Sequence, residues 1–297
     1  VVGASAAGVQ LAREIQGSGR PVTLSVGAHT RLPRTYRGRD IEWWLEETGM
    51  MDVGLEEIDD LERARRTPSP QLIGGTHPVD LNALQAVGIE IVGRLAGIRC
   101  DKAQFSGGLA QVCASADLKM GRSLTAVDEL ACVQDGEPRA PADRPEPTCL
   151  PASPTLEKHL GGGGIRSIVW ATGYRPDFSY LDLPVFDRRR HLIHCGRVCC
   201  VPGLYVLGLP FLRRRRSPQI SGVGPDSEAV SQHLADFLSG QKDIAARRIT
   251  GQSKSKRPLT VLPTCWGGDQ TTASAPSAAL RSQAEARRAS WRRPARR

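Results

Sequence analysis

The chain is predicted to belong to the α/β class, with a parallel sheet. Three observations predict it. A glycine-rich turn, Gly3–Gly8, joins Val1-Val2 to an amphipathic segment. The apolar run Val22–Val26 follows within about thirty residues. A third apolar run, Ile89-Glu90-Ile91-Val92, comes after a short helical stretch. Strand, helix and strand in short alternation is the pattern of right-handed crossovers between parallel strands. At 297 residues the chain holds one large domain or two small ones.

The opening turn reads G-x-S-x-x-G over Gly3, Ala4, Ser5, Ala6, Ala7 and Gly8. In a dinucleotide-binding turn the first Gly makes the bend and the last lets the helix approach the sheet. The middle Gly of the usual pattern is Ser5, small enough to face a phosphate with its hydroxyl. Val9, Leu11, Ala12 and Ile15 then recur at helical spacing, Gly17 and Gly19 stop the helix, and Pro21 precedes the second strand. With only Val1 and Val2 before the turn, and no Met, the chain is expected to be a fragment.

After the second strand the residues choose the coenzyme. An acid there would accept the adenosine ribose hydroxyls of NAD, whereas a cation accommodates the 2′-phosphate of NADP. No acid occurs between Val26 and Asp40. Arg31 is the first candidate for the phosphate, Arg34 the second, and Thr30 a neutral donor.

Asp40 is expected to N-cap a helix over Ile41–Glu47, whose Trp43 and Trp44 are read as packing residues. Leu72–Gly75 reads as a turn, Asp80–Ala86 as a short helix, and Phe105–Leu130 as containing helices marked by Leu118, Leu124, Val127 and Leu130. These make residues 1–133 one nucleotide-binding module. Residues 134–164, with Pro138, Pro141, Pro145, Pro147, Pro151, Pro154 and four consecutive glycines, read as a linker. Residues 165–240 return to strands, at Ile165–Trp170 and Gly203–Gly208, and end in an amphipathic helix after Ser221–Asp226.

Residues 241–297 have the composition of a disordered tail. That tail carries 13 Lys and Arg against 3 acids, a net of +10, while the whole chain is +9, so residues 1–240 sum to −1. The excess charge therefore does not argue for a nucleic-acid surface on the folded part, and no specific nucleic-acid partner is expected. The eight cysteines, Cys100, Cys113, Cys132, Cys149, Cys195, Cys199, Cys200 and Cys265, form no C-x-x-C and no zinc spacing, so no metal is expected. Reduced thiols and the absence of an apolar run of eighteen residues lead to the expectation of a cytoplasmic protein without a membrane span.

Together, Gly3–Gly8, Ala171-Thr172-Gly173-Tyr174, Gly203–Gly208 and Gly222-Val223-Gly224-Pro225-Asp226 resemble the flavin-containing monooxygenase-like oxidoreductases, over roughly residues 1–240. The resemblance implies a Rossmann-like two-dinucleotide-binding flavoprotein fold, lacking the amino-terminal FAD-binding portion. It implies NADPH at Gly3, Ala4, Ser5, Ala6, Gly8 and the Thr30/Arg31/Arg34 loop. Thr172 and Gly173 match the crossover between the two domains, and Gly208 with Gly222, Val223 and Gly224 match contacts to FAD. In such proteins NADPH reduces a flavin that activates dioxygen toward a small-molecule substrate. The family's first glycine motif is missing, so the chain is expected to be poorly soluble and inactive alone; no catalytic residue is assigned. Two alternatives stay open: a non-catalytic NADP-binding module, and a relative of the pyridine-nucleotide–disulfide reductases, which would need a cysteine pair not found here.

Overall fold

A computed structural model describes residues 1–72, 79–135, 144–162, 164–196 and 198–240. The turn expected at Leu72–Gly75 falls largely outside these, as do Pro138, Pro141 and the basic tail. The chain divides into two units, residues 1–48 with 60–178, and residues 49–59 with 179–297. Each is described separately.

The first unit is mixed α/β and begins where the sequence says it should. Val2 bridges Ser25 on one side and Trp170 on the other, both in parallel. Helix α1 (Ala6–Gly17) follows the glycine turn and buries Gly8, Val9 and Ala12. Leu11, expected on the same face, is instead exposed, because it lies two positions round the helix from Val9. Strand β1 (Thr23–Ser25) then runs beside Val2.

Next comes a two-stranded hairpin, β2 (Thr35–Tyr36) and β3 (Arg39–Asp40), turned by Arg37 and Gly38 at φ of 48° and 71°. Two successive left-handed residues match the twist of the flanking strands. Asp40 caps helix α2 (Ile41–Glu47) as expected, accepting from the Glu42 N–H at 2.9 Å. Trp44 is buried and donates its indole N–H to the Tyr36 carbonyl at 2.7 Å, while Trp43 packs edge-on against it under the Arg39 guanidinium.

Two short helices capped by aspartates follow, α3 (Leu61–Arg65) behind Asp60 and α4 (Leu81–Ala86) behind Asp80. Strand β4 (Glu90–Val92) pairs in parallel with β1, Leu24 opposite Ile91. Across the sheet the segments therefore run β4, β1, Val2, Trp170. Leu24, Val26, Ile89 and Ile91 pack under Val9 and Ala12 of α1 and Leu81 and Leu84 of α4.

A second sheet was not legible in the sequence. Strands β5 (Leu95–Arg99) and β6 (Lys102–Phe105) form a hairpin about Cys100 and Asp101, and β7 (Glu157–His159) adds to the edge of β6. Residues 134–164 are thus not wholly a linker: once Pro154 is passed, the backbone N–H groups are free to pair. Helix α5 (Leu109–Asp135) is one continuous helix of 27 residues rather than several stretches. Its buried stripe is Leu109, Cys113, Ala116, Met120, Leu124, Val127 and Ala131, whereas Leu118 faces outward. The stripe is built largely from small or soft residues, which hides it from a search for large aliphatics. Toward the end of α5, Asp128 accepts from Tyr36 Oη, Arg37 Nε and Arg144 Nη2 at 2.6 to 2.9 Å.

The two later strands expected from the sequence shrink to single bridges. Within Ile165–Trp170 only Ile165 and Trp170 pair, and within Gly203–Gly208 only Tyr205 does. In the second unit Val185, Leu192 and Cys199 form a small core around the hairpin β8 (His194–Cys195) and β9 (Val198–Cys199). Helix α6 (Ile220–Leu238) starts earlier than expected, so Gly222, Val223 and Gly224 lie inside its first turns instead of in a preceding loop. Gly222 explains the early start. A Cβ on it would stand 2.0 Å from the Arg216 carbonyl oxygen, so only glycine lets the helix settle this close to the chain before it. No helix among the described residues is long and apolar enough to cross a membrane.

Candidate functional site

The parallel segments of the first unit all end on one edge, and the glycine turn sits there. Gly3 has φ of +110°, and a Cβ on it would lie 2.4 Å from the Ala171 carbonyl oxygen. Gly8 is placed with equal strictness: its Cβ would lie 1.9 Å from the Gly3 carbonyl oxygen. The first glycine makes the bend and the second brings the helix down onto it, in the roles the spacing predicts. Ser5 is the N-cap of α1 by backbone geometry, but its hydroxyl makes no capping bond. The first helical bond runs from Val9 N–H to Ser5 O at 3.1 Å. The N–H groups of the preceding residues remain outside the ladder, at the positive end of a helix.

Thr172 lies beside this turn, its backbone N 3.5 Å from the position a Gly3 Cβ would take. Gly173, exposed with φ of +84°, follows it. The structure thus gathers Gly3, Ala4, Ser5, Ala6, Gly8, Thr172 and Gly173 at one edge. It adds Gln71, which belongs to no motif and carries no signal in the sequence. Gln71 is 4% exposed, donates Nε2 to the Ala4 carbonyl at 2.8 Å, and leaves Oε1 without a partner among the described residues.

The loop after β1 is arranged differently from expectation. Arg31, assigned to a phosphate, is only 3% exposed. Its Nε and Nη2 both donate to Asp80 Oδ2, at 3.2 and 2.6 Å, and its Nη1 donates to Asp117 Oδ1 at 2.7 Å. Asp80 meanwhile caps α4 through the Ala83 N–H, and Asp117 accepts from the N–H and hydroxyl of Thr148. Arg34 pairs with Asp40 at 2.6 Å, and the Thr30 hydroxyl donates to the Pro68 carbonyl at 3.0 Å. All three expected phosphate ligands are therefore engaged within the protein.

His29 is buried in the same loop. Its Nδ1 lies 3.0 Å from the Gly27 carbonyl, which requires the proton on Nδ1 and leaves Nε2 as a bare acceptor without a partner among the described residues. Burial pushes its pKa below the ordinary 6.5, against the smaller opposing effects of the Gly27 carbonyl and Asp117. The unfolded chain therefore binds a proton more readily than the folded one just below that value. Stability is expected to fall as pH drops from about 6.5 toward the lowered value. Denaturant midpoints between about pH 7 and pH 5 check this: His29→Asn, which keeps a donor for Gly27, should flatten the slope. Parallel profiles for the two proteins would show that His29 does not govern it.

In the second unit Gly208 has φ of +73° and open space around it. Gly222 is buried against Arg216, and Gly224 faces open space. Nearby, Asp226 is buried, with Oδ1 3.2 Å from Arg213 Nη1 and Oδ2 unpartnered among the described residues. Among the described residues no strand–glycine turn–helix cradle accompanies these positions, and no three side chains are grouped to hold a metal. A cavity of about 320 Å³ lies beside Gln85, Glu90, Pro151 and Thr155. It opens at the amino-terminal end of β4, away from the edge where parallel sheets bind their ligands.

No family model matches the chain. No solved structure matches it significantly either. Three curated proteins match over short stretches. A protein of Geobacillus kaustophilus named "Uncharacterized oxidoreductase CzcO-like" is 46% identical over 65 residues, 22% of this chain and 19% of that protein. Proteins of Bacillus velezensis and Bacillus subtilis named "Uncharacterized oxidoreductase CzcO" are each 35% identical over 71 residues, 24% of this chain and 21% of theirs. The match spans about a fifth of the length of these relatives.

Proposed function

We propose that the first unit is the coenzyme-binding part of an NADP-dependent oxidoreductase. The glycine pair carries this reading. Gly3 and Gly8 hold a helix start against the end of a parallel strand so tightly that neither tolerates a methyl group. That close backbone approach, at a helix start whose first N–H groups lie outside the helical ladder, is what cradling a pyrophosphate requires. The lateral sequence β4, β1, Val2, Trp170 supports it, since numbered along the chain it reads 3-2-1-4, the order of dinucleotide-binding sheets. The oxidoreductase names of the three partial relatives point the same way.

A bound nicotinamide coenzyme supplies hydride, and in the resembled flavoproteins the acceptor is FAD. This chain's residues perform the holding. The α1 N-terminus and Ser5 would hold the diphosphate, while Gln71 fixes the Ala4 peptide and Ala171 and Thr172 close against the turn. For FAD the fit is partial: Gly208 and the start of α6 offer contacts, but the described residues hold no second diphosphate cradle. Flavin dependence and dioxygen activation accordingly belong to the proposal for the whole oxidoreductase.

Ser5→Asp tests the cradle. Asp is a good N-cap, so α1 should be as stable or more so, while the added carboxylate would repel a diphosphate at contact distance. Calorimetric titration of the full chain with NADPH is expected to show about tenfold or greater weakening at unchanged melting temperature. Wild-type protein that binds no dinucleotide, or a variant that binds equally well, would sink the reading.

A further inference from the structure

We infer that Arg94, on the turn after β4, is the residue that selects the 2′-phosphate of the coenzyme; this rests on the dinucleotide reading above. The glycine turn and β1 are neighbours, Gly3 N–H donating to the Ser25 carbonyl at 3.0 Å. A dinucleotide whose diphosphate lies on the turn extends its adenosine ribose over the end of the adjoining strand. Here that end is Gly27, which has no side chain to interact with a ribose.

Arg94 arrives at the same place from the other side. Ser25 pairs with Val92, and the Val26 N–H donates to the Val92 carbonyl at 2.9 Å, so Gly27 and Arg94 leave the sheet side by side. The Arg94 Cγ lies 3.9 Å from where a Cβ on Gly27 would stand. Its backbone is fixed. The Ser25 hydroxyl donates to the Gly93 carbonyl at 3.0 Å and accepts from the Leu95 N–H at 2.8 Å, and the Ser106 N–H donates to the Arg94 carbonyl at 2.8 Å. Gly93 could carry no Cβ, which would meet the Ser106 carbonyl oxygen at 1.9 Å.

The side chain, by contrast, is exposed and makes no ion pair or hydrogen bond among the described residues. Arg31 and Arg34 both have carboxylate partners, so their charge is already compensated. Arg94 is therefore an uncompensated cation beside the end of β1 among the described residues, with no acid between Val26 and Arg31 to oppose a phosphate. A guanidinium meets a phosphate through two parallel N–H donors, which an ammonium cannot reproduce.

The test is a paired titration of the full chain with NADP⁺ and NAD⁺, on wild type, Arg94→Ala and Arg94→Lys. Wild type is expected to favour NADP⁺, and Arg94→Ala to weaken NADP⁺ about ten- to hundredfold with NAD⁺ unchanged; Arg94→Lys should fall between. Because the side chain is exposed, the melting temperatures should coincide. Equal loss for both coenzymes, or no loss for either, would overturn the role of Arg94 while leaving the cradle standing. Failure of wild type to bind either coenzyme would overturn both.

Discussion

Gly8→Ala is expected to destabilise the first unit by about 2–4 kcal/mol, although alanine is the better helix former. In an unobstructed helix the exchange gains up to about 1 kcal/mol. Gly8 is not unobstructed. The new methyl would stand 1.9 Å from the Gly3 carbonyl oxygen, a backbone atom that cannot move without dragging the turn. Gly3 is itself held by Ser25 on one side and stands against Ala171 on the other, so displacing it disturbs the middle of the parallel sheet. Gly121→Ala is the internal control. It lies within α5 with nothing near its Cβ position, and there the ordinary gain should appear. Urea unfolding of the two variants should give shifts of opposite sign. A stabilised Gly8→Ala protein would mean that the turn yields to the added methyl group.

Arg31→Met is the second large effect, and it separates a structural from a ligand-binding arginine. Methionine roughly preserves the volume, so the loss isolates the charge. Two carboxylates would be left facing each other around an apolar side chain, with no cation between them. Removing one partner from a wholly buried ion pair costs about 3–5 kcal/mol. Asp80 and Asp117 keep 21% and 20% of their side-chain exposure, so water compensates part of that, and about 2–4 kcal/mol is expected. Thermal or denaturant melts should register the loss with no nucleotide present. An Arg31→Met protein that melts like wild type but no longer binds NADPH would restore the phosphate role that the loop sequence first indicated.

The contrast between these two residues shows how far the sequence carries. Gly3 and Gly8 were legible because their spacing encodes a local geometry, and Asp40 and Asp80 because a cap acts on its own helix. Arg31 was legible as a cation but not as a keystone, since its partners lie 49 and 86 positions away. Arg94 escaped for the same reason: only the parallel register of β1 with β4 brings it to Gly27. Strand β7 is three residues long, too short to show a period of two. On α5 the sequence marks Leu124 and Val127 of the buried stripe, but Cys113, Ala116 and Ala131, which complete it, carry little hydrophobic signal individually. At Gly222 the opposite error arose: a glycine cluster read as a turn is the close-packed beginning of a helix.

Asp117 and Asp128 stand eleven positions apart on α5, about three helical turns, and so project from nearly one side roughly 16 Å from each other. The first grips Arg31 and the second grips Tyr36 and Arg37, so the segment between β1 and β3 is riveted at two points to a single stiff rod. A segment fastened in this manner has surrendered its freedom during folding. Whatever molecule comes to rest against it encounters a ready-made surface, and its arrival should bring little additional ordering there.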